Sequence, residues 1–318
     1  MSMRIGVLSN LRAGQRDSKA DKVLRFLARH PDVAHLETTE DAAVPPALRE
    51  FARAGVEILV LNGGDGTIQH ALTHLLGNPA NSWRPWIAPI RGGRTNMTAM
   101  DLGAHRDPVR GLARLIAADR AGRLAELVRV RPVLRVELAE GVHYGMFVGF
   151  GMLHRAVELV HQVFPEGKAR GVFGAGIVTG VLIARAVMGG LRGVLAPDKM
   201  RIALDGEAIE PREQLLVMAT TLERLFLRMR PFWGREPAPM RVTLIEGGAQ
   251  RFGSAAPGIL RGRPPAHVRP EHGYRSRNVH ELAVQLDAGV ILDGELYDPM
   301  PDRVVRVGAV EGVRFLRA

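Results

Sequence analysis

Residues 56–67 read VEILVLNGGDGT and decide how the rest of the chain is interpreted. The apolar run Val56–Leu61 ends at a glycine-rich segment, and a helical pattern begins directly after it at Ile68. This order predicts a strand, a glycine turn and a helix. Glycines let the main chain approach a ligand closely, and the N-terminus of a helix attracts anions. We therefore expect this turn to bind phosphate.

Asp65 is the unexpected residue in this turn, because a carboxylate repels phosphate. Its presence is explained if it holds a metal ion, a hydroxyl group or a ribose. The alternative is an ordinary Asp-Gly hairpin turn. Two flanking glycines and an immediate helix are more than such a turn requires.

The N-terminal part of the chain alternates strand and helix patterns, which predicts a parallel sheet covered by helices on both faces. We predict a Rossmann-like three-layer α/β domain over residues 1–126. Asp107 with Pro108 is typical of a helix start. The predicted strands are Arg4–Ser9, Val33–Thr38, Val56–Leu61 and Trp86–Ile90, and the predicted helices are Ser18–His30, Pro45–Ala54, Gly66–Leu76 and Pro108–Ala121.

From residue 127 onward the strand patterns follow one another, with Asp-Gly turn signals between them. We predict a C-terminal antiparallel β-sandwich domain over residues 127–318, with helices inserted at His154–Val163 and roughly Ile177–Leu191. The Pro-, Gly- and Arg-rich segment Gly253–Arg277 is predicted to be a mobile loop. The predicted strands are Val128–Glu137, His143–Gly149, Met200–Leu204, Gln214–Ala219, Met240–Ile245, Glu281–Leu286, Val290–Leu292, Arg303–Val307 and Gly312–Leu316.

Composition limits the classes of function. The chain has no cysteine, which excludes disulfides and cysteine-ligated metal sites and permits a reducing cytoplasm. Lys and Arg number 43 against 33 Asp and Glu, a formal net charge of +10 that suits anionic partners. Aromatic residues make up only 5 %, so nucleic acid is not an expected partner. The uncharged run Gly171–Ala184 is too short to span a bilayer and predicts a buried or interfacial helix.

Two further turns follow predicted strands in the N-terminal half. Ser9–Gly14 contains an amide and a glycine where a nucleotide would lie, although a plain surface loop is an equal alternative. Ile90–Met97 combines paired glycines, a hydroxyl, an amide and two guanidinium groups, which suits phosphate. A simple turn into a helix capped by Thr95 or Asn96 is the alternative.

The tripeptide Asp-Gly-Glu occurs twice, at residues 205–207 and 293–295. Two carboxylates around one glycine could supply a general base for a hydroxyl group. Asp-Gly is also the strongest hairpin signal, so at least one copy is expected to be structural. Spacing alone does not separate the two copies. The chain contains no GxxxxGK[ST], HExxH or GxSxG motif.

The chain resembles the diacylglycerol kinase-type lipid kinases, of the bacterial soluble kind related to sphingosine and ceramide kinases. The resemblance rests on Gly63–Thr67, supported by the Asn10–Gly14 turn, the Gly93–Asn96 segment and Asp293-Gly294-Glu295. The GGDGT motif is shared with NAD kinases and phosphofructokinases, and the late Asp-Gly-Glu favours the lipid branch.

The resemblance implies that Asp65, Asp293 and Glu295 are catalytic, with Glu295 favoured as the proton acceptor. It also implies an ordinary hairpin at residues 205–207. The residues implied to bind ATP are Asn10, Gly14, Thr39 (with Thr38 as an alternative), Gly63, Gly64, Asp65, Gly66, Thr67, Gly93, Arg94, Thr95 and Asn96.

The sequence departs from the family at three places. Arg94 and Met97 replace the usual threonine and aspartate of the second glycine segment, and Phe150–Leu153 lacks a common aspartate. No carboxylate occurs in Pro237–Arg241, so a structural magnesium site is not expected and the metal ligands are unassigned. The Mg²⁺ that accompanies ATP is still expected.

These observations predict transfer of the γ-phosphate of Mg·ATP to the hydroxyl of a diacylglycerol- or sphingoid-like lipid alcohol. The alternatives are a non-catalytic nucleotide- or lipid-binding pseudokinase and a kinase of a soluble alcohol or of a nucleotide such as NAD. We expect a cytoplasmic protein. Peripheral contact with an anionic membrane at its inner face, and a homodimer, are left open by the sequence.

Overall fold

A computed structural model describes residues 3–11, 18–93, 95–163, 196–298 and 302–318. Gly14, Arg94 and the helix predicted at Ile177–Leu191 lie outside the described residues. The chain divides into two compact units, Met1–Arg131 with Glu311–Ala318, and Pro132–Val310.

The first unit contains a parallel sheet, in which β1 pairs with β2 and β3, and β3 pairs with β4. The end of the last strand of the chain, β15, adds to β4 in parallel, with Phe315 opposite Ile87. The strands are β1 (Ile5–Asn10), β2 (Ala34–Thr38), β3 (Ile58–Gly63) and β4 (Trp86–Arg91), and the helices are α1 (Ser18–Leu27), α2 (Val44–Arg53), α3 (Asp65–Gly77), α4 (Met97–Asp101) and α5 (Pro108–Arg120).

Alternation along the strands produces the layers. Ile5 and Val7 of β1 belong to one buried cluster with Val23 of α1 and Leu112 of α5. Gly6 lies on the opposite face, because successive strand residues point to opposite sides, and there it packs against Phe51 of α2. Helices therefore cover both faces of the sheet, and the predicted three-layer α/β fold is confirmed.

The second unit is built of antiparallel pairs around a separate apolar cluster that includes Val148, Phe150, Val217 and Val284. The predicted antiparallel β fold of this half is confirmed. Its elements are β5 (Val128–Leu138), β6 (Gly141–Gly145), β7 (Phe147–Gly151), α6 (Met152–Val163), β8 (Asp198–Leu204), β9 (Glu207–Thr220), β10 (Met240–Glu246), α7 (Phe252–Leu260), β11 (Tyr274–Val279), β12 (Glu281–Gln285), β13 (Val290–Leu292), β14 (Glu295–Tyr297) and β15 (Val304–Leu316).

Three features of the second half differ from the sequence predictions. The division at residues 126 and 127 misses that the C-terminal eight residues return to the first unit. The strand predicted at His143–Gly149 is interrupted at Met146, between β6 and β7. The two strands predicted at Arg303–Val307 and Gly312–Leu316 form the single strand β15.

The loop predicted at Gly253–Arg277 was wrong at both of its ends. Residues Phe252–Leu260 form α7, which buries Ala255, Ala256 and Ile259 on one face. Tyr274 begins β11, which pairs with β10 along its length. Pro257 and Gly258 obscured the apolar spacing of this helix.

None of the helices in the described part of the chain combines the length and apolar character needed to cross a lipid bilayer.

Candidate active site

The turn between β3 and α3 presents an uncapped helix N-terminus. Gly64 is the N-cap residue, in extended conformation, and contributes no side chain to the first-turn amides. These amides have no acceptor within the helix. A Cβ at Gly63 would lie only 2.5 Å from the Thr67 hydroxyl, so glycine is required for the turn to fold back on Thr67. The turn can offer main-chain donors to an anion.

Asp65 joins this turn to the next one. Its carboxylate accepts hydrogen bonds from the main-chain amides of Met97, at 3.0 Å, and Thr98, at 2.9 Å, in the first turn of α4. The side chain is buried, and this burial raises the pKa of Asp65. The same two amides act in the opposite direction, because they stabilise the ionised form. Asp65 thus fixes the position of α4.

The two glycine segments meet main chain to main chain. A Cβ at Gly92 would lie 2.8 Å from the amide nitrogen of Gly63, and one at Gly93 would lie 2.9 Å from that of Gly64. Asn96 has a left-handed backbone and closes its own loop, because its side chain accepts from the Gly93 amide at 2.7 Å and donates to the Gly93 carbonyl. Only glycine allows this contact.

Asn10, at the end of β1, connects the first predicted turn to the glycine turn between β3 and α3. Its side-chain amide donates to the Thr67 hydroxyl at 3.0 Å and to the Asp41 carboxylate at 3.2 Å. Beside it, the Asn62 amide donates to the Ser9 hydroxyl at 3.0 Å. The carboxyl ends of β1 and β3 therefore share one polar network.

The structure distinguishes the two candidate threonines after β2. Thr38 is buried and pairs with Asn10 in the sheet register, and its hydroxyl has no hydrogen-bond partner among the described residues. Thr39 is exposed. An unpaired buried hydroxyl next to Asn10 can accept a ligand hydrogen bond. Thr39 remains the predicted ligand, and Thr38 is the better placed alternative.

Arg91 is one of the two guanidinium groups of the Ile90–Met97 segment, and the resemblance did not assign it to ATP binding. It ends β4 directly before Gly92, and its Nε is buried without a hydrogen-bond partner in the described part of the chain. Burial and the neighbouring charge of Arg106 both lower the pKa of Arg91. In the sequence, its position directly before Gly92-Gly93 is the feature that indicates a role at this turn.

In the second unit, Asp293 and Gly294 form the two-residue loop of the β13–β14 hairpin, with φ of 49° and 96°. The buried Asp293 carboxylate accepts the main-chain amides of Met146, at 2.8 Å, and Phe147, at 2.9 Å. The Asp293 amide donates back to the Phe147 carbonyl. This explains the break between β6 and β7.

The other Asp-Gly-Glu copy has the same local geometry. Asp205 and Gly206 have φ of 50° and 79° and form the β8–β9 loop. The exposed Asp205 carboxylate accepts the amides of His280 and Glu281, both at 2.8 Å. Both aspartates therefore anchor hairpins. The hairpin expected at residues 205–207 is present.

The two glutamates differ. Glu207 forms an ion pair with Arg277 at 2.8 Å. Glu295 is half-buried, and among the described residues no cation lies within 4.0 Å of its carboxylate. Glu295 shares a strand face with Tyr297, which contacts His143 edge to face. An unpaired carboxylate is available to accept a proton.

A protein-held metal ion has no evident ligand set in the described ranges. They contain no group of three or more histidine, aspartate or glutamate side chains placed to hold one. Asp65 and Asp293 each direct their oxygens at main-chain amides.

The N-terminal segment of the first unit matches a known family model. Residues 4–127 match the diacylglycerol kinase catalytic domain. The predicted resemblance is confirmed. The enzyme class that this domain supports is a kinase, a phosphate transferase, and kinases of this kind imply use of ATP. Among curated proteins, no match to the chain is found.

Solved structures share the fold over the whole chain. A proposed diacylglycerol kinase from Bacillus anthracis strain Sterne has a TM-score of 0.72 at 20% identity, covering 100% of this chain and 96% of that one. Another proposed diacylglycerol kinase from the same strain has a TM-score of 0.68 at 19% identity, with coverages of 100% and 98%. A diacylglycerol kinase from that strain has a TM-score of 0.65 at 18% identity, with coverages of 100% and 97%.

The described site residues fall into two groups. Asn10, Asp65 and Thr67 share contacts with the two glycine segments of the first unit. Asp293 and Glu295 lie on one hairpin of the second unit. Their roles in binding and catalysis remain predictions, as do those of Gly14, Gly66, Thr95 and Arg94.

Proposed function

We propose that this protein is a lipid kinase that transfers the γ-phosphate of ATP to the hydroxyl of a lipid alcohol of the diacylglycerol or sphingoid class. The match of residues 4–127 to the diacylglycerol kinase catalytic domain supports the kinase assignment and favours a lipid over NAD as acceptor. We further propose that it works in the cytoplasm, at the inner face of the membrane.

The observation that supports this proposal is the main-chain contact between the two glycine segments. Asp65 holds α4, and Gly93 packs against Gly64, so the main-chain donors of both turns are held at the carboxyl ends of adjacent strands. Enzymatic phosphoryl transfer depends mainly on positioning and on electrostatic stabilisation of the phosphates. A preorganised set of main-chain dipoles supplies both.

Arg91 adds positive charge at the same turn. Its Nε is buried and unpaired in the described part of the chain, so a phosphate oxygen would supply a missing acceptor. Guanidinium groups bind phosphate through paired donors. We assign Arg91 to the ATP phosphates, together with the predicted Arg94.

Glu295 is the proposed general base. As the acceptor oxygen bonds to the γ-phosphorus and the bond to the β-phosphate oxygen breaks, the hydroxyl proton moves to the Glu295 carboxylate and ADP leaves. Asp293 is less suited, because both of its oxygens already accept main-chain amides. We assign Asp293 the task of holding the hairpin that carries Glu295.

Magnesium enters this proposal only as the complex with ATP. The described residues do not provide a ligand cluster that fits a separately bound ion. The magnesium ion of the Mg·ATP complex neutralises part of the phosphate charge. Asp65 contributes by positioning α4.

A lipid panel tests the proposal. The purified chain is incubated with Mg·ATP and mixed micelles that contain diacylglycerol, a sphingoid base, a ceramide or no acceptor, and with NAD in buffer. Phosphorylation of one lipid class, dependent on micelles, is the expected result. Phosphorylation of NAD, or ATP binding without transfer to any acceptor, contradicts the lipid kinase assignment and favours a soluble-substrate kinase or a pseudokinase.

A further inference from the structure

Five arginines surround one cavity of about 320 Å³ in the second unit, far along the chain from the hairpin of Glu295. We call this cavity the arginine pocket. Four of the side chains are exposed and one is half-buried. The lining residues are Arg224, Arg228, Arg230, Arg261 and Arg263.

Four of the five pocket arginines have no ion-pair partner in the part of the chain that the structure describes. Among the described residues, no carboxylate lies within 4.0 Å of Arg228, Arg230, Arg261 or Arg263. The Arg261 guanidinium donates to the main-chain carbonyl of Pro257 at 3.4 Å. Guanidinium groups that line one cavity repel one another, and an anion bound between them offsets this repulsion.

Main-chain contacts hold the two arginine-bearing segments together. The Arg230 amide donates to the Leu260 carbonyl at 2.8 Å, at the end of α7. The chain then turns at Gly262, with φ of 68°, where a Cβ would lie 3.0 Å from the Arg230 carbonyl oxygen. The Arg263 amide closes the helix end on the Gly258 carbonyl at 2.9 Å. The pocket is therefore built by the fold and not by long side chains alone.

One exposed apolar side chain adjoins an arginine of the pocket in the sequence. Leu227, next in sequence to Arg228, is 57% exposed. Both residues have left-handed backbone conformations, with φ of 53° and 61°, which leucine and arginine rarely adopt. The loop is closed by the Leu225 amide on the Met229 carbonyl at 2.9 Å. An exposed leucine next to an arginine of a basic cluster is typical of a surface that contacts a lipid bilayer.

We propose that the arginine pocket binds the phosphate of an anionic phospholipid at a membrane surface, with Leu227 inserted between the headgroups. Paired guanidinium donors recognise phosphate oxygens, and several of them fit one headgroup. The cluster also adds to the attraction of a basic protein for an anionic leaflet. Binding needs neither ATP nor an acceptor alcohol, so this proposal stands or falls independently of the proposed kinase activity.

Vesicle sedimentation of the full chain tests the site. Vesicles of phosphatidylcholine with phosphatidylglycerol are compared with phosphatidylcholine alone. The wild-type chain is expected to sediment with the anionic vesicles only, and less so at high salt. Arg228→Gln with Arg230→Gln should weaken binding by more than about tenfold, since each basic residue near an anionic surface is worth about fivefold.

The matched control is Arg110→Gln with Arg114→Gln, two exposed positions on α5 that remove the same charge. This variant is expected to keep the affinity of the wild type within about twofold, because neither residue lines the arginine pocket. Arg261→Gln with Arg263→Gln, on the other segment, should reproduce the loss. Circular dichroism confirms that each variant is folded.

A titration with inorganic phosphate separates the two sources of the anion. Leu227→Asn, which suits a left-handed backbone, should weaken vesicle binding and leave phosphate binding unchanged. Tight binding of inorganic phosphate without vesicle binding would overturn the membrane assignment. Equal loss in the α5 control and in the pocket variants would show general charge attraction and would overturn the site itself.

Discussion

The carboxylate of Asp65 accepts the main-chain amide of Thr98 at 2.9 Å, although 33 positions separate the two residues. This bond, with its partner at Met97, makes one unit of the two glycine segments. The aspartate that looked misplaced beside phosphate is thus directed at the beginning of a helix. Its negative charge meets the positive end of α4, where an anion is stabilised.

Burial of Asp65 predicts a pH dependence of stability. The folded-state pKa lies above the ordinary value of 3.8, so the folded protein binds this proton more tightly than the unfolded chain. The protonated Asp65 side chain therefore makes its full contribution to the free energy of unfolding at low pH. This contribution is lost as the pH rises through the folded-state pKa of Asp65. Relative to Asp65→Asn, the wild-type free energy of unfolding should fall as pH rises above 3.8. Denaturant unfolding across this range measures it, and a difference that stays flat contradicts the prediction.

The two hairpin aspartates predict unequal costs. Asp293→Asn leaves one of two buried amides without an acceptor, which should lower the free energy of unfolding by about 2 kcal/mol. At the exposed Asp205 both amides donate to one oxygen, Oδ1, so Asp205→Asn retains an acceptor for both and should cost about 0.5 kcal/mol or less. Urea unfolding of both variants compares them. Equal costs would remove the special role of Asp293 in holding the hairpin.

The close contact between the two glycine segments predicts that a methyl group added at Gly93 weakens ATP binding. Gly93→Ala would force the second segment away from Gly64, and we expect the affinity for ATP to fall by at least about tenfold, since small displacements of binding groups are costly. Gly248→Ala is the control, because a Cβ there meets nothing within 4 Å. Calorimetric titration with Mg·ATP gives both affinities. Unchanged ATP affinity of Gly93→Ala would show that the contact between Gly93 and Gly64 does not affect nucleotide binding.

The proposed contact of Arg91 with the ATP phosphates predicts a loss of ATP use when this side chain is replaced. Arg91→Gln should raise the KM for ATP by about tenfold, the usual worth of one charge-assisted hydrogen bond. Arg84→Gln is the matched control, because Arg84 is exposed and precedes β4 whereas Arg91 ends it. Steady-state kinetics with both variants decide the point. Equal KM values would assign Arg91 to the structure of the turn.

Much of the fold could be predicted because it depends on local patterns. The apolar run before Asn62 and the Asp107-Pro108 start gave β3 and α5, and the Asp107 side chain indeed accepts amides of the first helical turn. The C-terminal residues could not be assigned to the first unit, because the pairing of Phe315 with Ile87 is a long-range contact that leaves no local trace.

The candidate site was predicted only in part for the same reason. Glycine turns are visible in the sequence, but the partners of Asp65 and Asp293 are amides 32 and 147 positions away. Main-chain donors have no signature in residue type. The two Asp-Gly-Glu copies differ in the neighbours of their glutamates. Arg277 forms an ion pair with Glu207, whereas no cation pairs with Glu295 in the described residues.

The central claim is that Glu295 removes the proton of a lipid hydroxyl, and turnover of two matched variants tests it most directly. Glu295→Gln and Glu207→Gln change the same atoms at the same place in two similar hairpins. With Mg·ATP and the preferred lipid in mixed micelles, we predict that Glu295→Gln lowers kcat by about 10²-fold or more, whereas Glu207→Gln keeps the wild-type value. Equal kcat values for the wild type and Glu295→Gln would contradict the account.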